Sequence, residues 1–170
     1  MTDAESQLAG YFAKYQPEIV KLGKALRAKL RARLPGLLEL VYVYDSQNSL
    51  VLSYSPTETG SQGVCALAVY PDRVSLFFTG GALLSKADPK KLLKGNGKAV
   101  RYVAMNSAAD FDRAEIEVLM AAALKLAKIN LDANANGAVI IKAEAQKQRA
   151  LRAKKTARPA AKARTPKTRR

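Results

Sequence analysis

Apolar residues recur at Ile19, Leu22, Leu26, Leu30 and Leu34, the spacing of one face of an α-helix, so the pattern predicts an amphipathic helix over residues 17–34. Pro17 suits its first turn and Pro35-Gly36 ends it. Ahead of it, Thr2 and Glu5 form a capping-box pattern for a short helix over about residues 2–15. After Gly36 the period changes from helical to alternating. Residues 37–45, 49–55, 64–71 and 73–80 read as strands separated by short polar turns, and such short connections favour an antiparallel meander. Cys65, Leu67 and Val69 share one side of the third strand, as do Val74, Leu76 and Phe78 in the fourth, and together they predict the face that helices cover.

A fifth strand over residues 98–105 follows the glycine turn "KGNG". Ser107 to Asp110 offer caps for a last helix that begins near Phe111 and runs to about residue 128. Its expected apolar stripe is Ile116, Leu119, Met120, Ala123, Leu126 and Ala127. The order helix, helix, strands, helix predicts an α+β fold: a two-layer sandwich with an antiparallel sheet of about five strands covered by helices. Asn and Gly interrupt helical propensity over residues 130–141, which read as a linker bounding a domain of residues 1–129.

Charge divides the chain further. Residues 1–141 hold seventeen basic and thirteen acidic side chains, net +4, whereas residues 142–170 hold twelve basic and one acidic, net +11. The final stretch has almost no large apolar side chain, so it cannot repay the entropy of ordering and reads as a basic, largely disordered tail. A flexible polycation attracts polyanions, and with no aromatic to stack on bases it implies nucleic-acid binding without sequence specificity. The candidate anion-binding residues in the tail are Lys154, Lys155, Arg158, Lys162, Arg164, Lys167, Arg169 and Arg170; in the body they are Lys94, Lys98 and Arg101. The helix over 17–34 is also basic, with Lys21, Lys24, Arg27, Lys29, Arg31 and Arg33 against Glu18. A solvated face is the plainer account of it than a binding face.

Catalytic chemistry finds little to work with. The chain has no histidine and a single cysteine, Cys65, which excludes Ser-His and Cys-His nucleophile arrangements and any thiolate metal cage. Asp110, Asp112, Glu115 and Glu117 complement the start of the last helix, and their spacing does not gather them on one face as a metal site. "KGNGKA" differs from a phosphate loop of the Walker type, which needs glycine and a hydroxyl where Leu92 and Ala99 stand. The expectation is a non-enzymatic protein with no cofactor and no bound metal. The N-terminal stretch lacks a signal-peptide pattern, and no apolar run approaches the roughly 18 residues of a membrane span. A cytoplasmic protein with no membrane partner follows, nucleoid-associated if its tail holds DNA.

The run Leu93, Gly95, Gly97, Lys98 and Arg101, followed by Ser107 and Asp110 and an Ala- and Leu-rich helix, resembles the YdhG-like domain family of unknown function, over roughly residues 15–128. That resemblance implies a frataxin-like fold, and some members of the family have been proposed as iron chaperones. Iron binding of the frataxin type depends on an acidic ridge along the first helix, whereas the long leading helix here is basic, with only Asp3, Glu5 and Glu18 nearby. Polyanion binding is therefore the first expectation, and a frataxin-like metal or small-ligand carrier the alternative.

Overall fold

A computed structural model describes residues 3–142 and Lys154. In chain order the elements are α1 (Asp3–Phe12), α2 (Pro17–Arg33), β1 (Leu38–Tyr44), β2 (Ser49–Ser55), β3 (Cys65–Val69), β4 (Val74–Phe78), β5 (Arg101–Met105), α3 (Ala114–Leu126) and β6 (Val139–Ile141). The strands form one six-stranded sheet in the order β5-β4-β3-β2-β1-β6. From β1 to β5 every pairing is antiparallel, as the short turns dictate. The architecture is α+β with a mixed, mostly antiparallel sheet.

The sixth strand comes from the segment read as a linker. Val139, Ile140 and Ile141 lie parallel to β1, opposite Glu39, Leu40 and Val41. Three apolar β-branched residues suffice because β1 supplies a finished edge, and Glu39 N–H donates to Ala138 O at 2.9 Å while Lys142 N–H donates to Val41 O at 2.8 Å. A strand this short leaves no alternation to read. The caps before α3 also act differently from the expectation. Residues Ala108–Asp112 make a 3-10 turn, and the α-helix starts only at Ala114.

One core joins both layers. Leu8 and Phe12 of α1, Leu26 and Leu30 of α2, and Ile116, Leu119 and Met120 of α3 pack on Val41, Leu52, Leu67, Val69, Leu76 and Phe78, all buried on the same side of the sheet. The expected inward faces of β3 and β4 are the observed ones. On α3 the stripe ends differently: Leu124 is buried, while Leu126 is 44% exposed and Ala127 is exposed, both lining an open cleft with Thr79, Gly80 and Leu84.

The basic helix is tied down by acids on its neighbours. Arg27 reaches Glu5 of α1 at 2.7 Å and Glu39 of β1 at 2.8 Å, and Arg31 reaches Glu5 at 3.0 Å. Lys29 meets Asp112 and Arg33 meets Glu117, each at 2.7 Å. These four cations join α2 to α1, to the sheet and to the start of α3, while Lys21 and Lys24 are exposed with no acidic partner among the described residues.

Candidate polyanion-binding loop

The cation-rich excursion between β4 and β5 is built by short polar contacts. Residues Gly81–Ala87 form a 3-10 segment whose Ala82 N–H donates to Ala99 O at 2.8 Å. The Asp88 side chain then organises the following turn, its two oxygens accepting the Leu92 and Leu93 N–H groups at 2.8 Å each. Lys91 sits inside that turn with φ of 54°, a left-handed conformation uncommon for a residue other than glycine, asparagine or aspartate. Leu92 and Leu93 pack against the core and anchor the loop.

The glycine turn is closed from both ends. Lys94 and Tyr102 exchange backbone hydrogen bonds of 2.8 and 2.9 Å, and Gly95 takes φ of 113°, which L side chains rarely adopt. Inside it, Arg101 Nη1 donates to the carbonyls of Gly97 and Val100. Arg101 is thus first a brace for the turn. Lys94 and Lys98 stand exposed on it.

At the far end of β5 the remaining motif residues do a separate job. Asp110 Oδ2 accepts the N–H groups of Asn106 at 2.8 Å and Ser107 at 3.0 Å, fixing the 3-10 turn before α3. The run from Leu93 to Asp110 therefore comprises two turn-building clusters separated by a five-residue strand, about 13 Å of chain at β-strand rise, and not one site. Asp112 is engaged with Lys29, and among the described residues no group of three or more Cys, Asp or Glu side chains is placed to share a metal ion.

Lys90 pairs with Glu115, whose carboxyl that contact holds below its ordinary range. Lys86, Lys91, Lys94 and Lys98 have no acidic partner among the described residues. A cleft of about 350 Å³ opens beside the loop, lined by Gly81, Ala82, Ser85, Asp88, Lys91, Leu93 and Arg101. Arg101 was visible in the sequence among the candidate anion-binding residues, and Lys91 lies in the same lysine-rich stretch; Ser85 and Asp88 carried no signal, because only the fold brings the 3-10 segment against the turn. Lys154 is exposed, while Lys155, Arg158, Lys162, Arg164, Lys167, Arg169 and Arg170 lie outside the described residues.

Sequence reasoning also passed over a buried polar cluster. Glu39 is 2% exposed, accepts from Arg27 Nε at 2.9 Å and from the Tyr54 hydroxyl at 2.8 Å, and borders a second cleft of about 380 Å³ together with Arg31, Tyr54 and Asn136. Burial, chiefly, keeps the Tyr54 phenol protonated well above its ordinary range. The signal was present in the alternation of β1, where Glu39 occupies an inward position beside Val41. Cys65 is fully buried and its thiol is pushed up to about 12, so it carries no thiolate at neutral pH.

Among the described residues no helix is long and apolar enough to cross a membrane. The chain matches no protein-family model, no curated protein and no solved structure.

Proposed function

We propose that this is a non-enzymatic binding protein that engages nucleic acid or a comparable polyanion without sequence specificity, through the cations of residues 142–170. The observation that carries the reading is the partition of charge, +11 in those residues against +4 in residues 1–141. The internal pairing of Arg27, Lys29, Arg31 and Arg33 supports it, since it engages four of the six cations of the basic helix and leaves Lys21, Lys24 and the unpaired lysines of the β4–β5 loop among the body's own contributions. Phosphate contacts of this kind supply affinity without reading bases. The body is, on this account, a YdhG-like domain of frataxin-like build. The turn-forming run from Leu93 to Asp110 and the placement of all three helices on one face of the sheet speak for that assignment.

The test is duplex DNA binding by the full-length chain and by a full-length variant in which Lys154, Lys155, Arg158, Lys162, Arg164, Lys167, Arg169 and Arg170 are all changed to Gln. The variant loses most of the affinity and most of its salt dependence if the reading holds. Unchanged binding by the variant overturns it.

One observation favours a second reading, a carrier of a small polar ligand or metal: the cleft above Glu39, Tyr54 and Arg31. Its Glu39 oxygens already hold Arg27 and Tyr54, which argues against a vacant ligand set. Calorimetric titration with ferrous iron showing stoichiometric micromolar binding, lost in Glu39→Gln, would establish it.

A further inference from the structure

We propose that the cleft between the 3-10 segment Gly81–Ala87, the turn that Asp88 organises and the start of β5 is a site for a phosphate monoester, taken as the terminal phosphate of a nucleic-acid strand or as a free phosphorylated small molecule. Ser85, Lys91 and Arg101 line this cleft from the 3-10 segment, the Asp88 turn and the start of β5. Arg101 spends Nη1 on the carbonyls of Gly97 and Val100, the latter at 2.8 Å. Its Nε and Nη2 have no partner among the described residues. The brace that closes the turn therefore also fixes a guanidinium edge with donors to spare, the geometry that suits two oxygens of one phosphate.

Lys91 is the second cation. Its backbone is left-handed, and the N–H donates to Asp88 O at 3.1 Å, so the turn holds an ammonium-bearing residue in a conformation usually left to glycine or asparagine. Strain of this kind is tolerated where the side chain's position matters. Asp88 lines the same cleft and opposes an anion, but both its oxygens are committed to the Leu92 and Leu93 amides at 2.8 Å, which offsets part of its charge. Lys86, Lys94 and Lys98 stand in the same segment and keep the surroundings positive.

The class of ligand follows from count and size. A monoester offers three terminal oxygens and close to two negative charges at neutral pH, matching one guanidinium edge, one ammonium and one hydroxyl. An internal diester offers two oxygens and one charge. At about 350 Å³ the cleft falls in the range of small-ligand sites, with room for the group bearing the phosphate against Leu93 and Ala82.

The inference rests on the polyanion reading for its nucleic-acid source, and the two fail separately. The experiment measures binding of the full-length chain to a short single-stranded oligonucleotide with and without a 5′-phosphate, with adenosine monophosphate as a competitor, and repeats both with Lys91→Asn. Asparagine keeps the left-handed turn and removes the charge. A terminal phosphate should tighten binding about tenfold, as one well-made charged contact allows, and Lys91→Asn should erase that increment, while the hydroxyl-ended strand loses only the share of one loop cation. Competition by the mononucleotide with no end effect would make the free monoester the source and still support the site. No end effect together with no competition overturns it. So does either effect persisting unchanged in Lys91→Asn. The salt dependence of the hydroxyl-ended strand reports chiefly the cations of residues 142–170, so a flat response would sink the polyanion reading without touching the cleft.

Discussion

Glu39 shows how one residue can organise several elements. A carboxylate 2% exposed is tolerable only when its charge is met, and Arg27 and the Tyr54 hydroxyl meet it from α2 and β2. Glu39→Ala would leave Arg27 with Glu5 alone and orphan the phenol, so the expected loss is about 2 to 3 kcal/mol, somewhat below the usual cost of breaking a buried pair because Arg27 keeps one partner. Urea unfolding of the variant checks this, and a loss below half of that would mean the cluster is slack. Acid tests the same contacts. Arg27 beside Glu5, and Arg33 beside Glu117, hold those carboxyls below their ordinary value of 4.5. A folded value below the unfolded one adds stability that is fully present above about pH 4.5 and is lost as the pH falls through the folded values. The melting temperature should therefore fall steadily below about pH 4.5. Arg33→Ala should remove the Glu117 part of that fall, a small part because the Glu117 side chain is 58% exposed.

At the scale of elements, what could be read from the chain depended on how many residues carried a pattern. The stripe of α2 and the alternation of β1 to β4 run over five residues or more, and they formed as expected with the inward sides of β3 and β4 assigned correctly. β6 has three residues and no period, and its partner β1 lies about a hundred residues earlier, so nothing local announced it. The 3-10 segments at 81–87 and 108–112 escaped for a related reason. Their bonds depend on Ala99 and on the Asp110 side chain, contacts that spacing does not encode. The glycine turn was legible as a turn, but the cleft beside it was not, because Ser85 and Lys91 meet only after the excursion folds back on β5.

The parallel strand has a test of its own. Gly137 lies so close to β1's approach that an added Cβ would come 1.8 Å from Leu37 O. Gly137→Ala must move backbone and should cost about 1 to 3 kcal/mol, in the range of overpacked sites. The first bond to loosen would be Glu39 N–H to Ala138 O, so the Glu39 amide should exchange with solvent faster in the variant. An unchanged exchange rate would mean that β6 contributes nothing to the edge.

Across the whole molecule, charge is used in two ways. In the body much of it is paired on α2, where four cations bind acids on α1, β1, the turn at 112 and α3 and fix elements against one another. In residues 142–170 eleven charges of one sign remain uncompensated in sequence, and on the proposed reading a net charge of +15 over 170 residues would draw polyanions from a distance. The measurement closest to the central claim is the affinity of the full-length chain for duplex DNA as a function of salt. If six or more of the cations in residues 142–170 displace counterions, the logarithm of the affinity falls against the logarithm of salt with a slope of roughly −5 or steeper, a loss of about a thousandfold or more between about 50 and about 200 mM. A slope near zero, or one that survives neutralisation of those cations, would contradict the account.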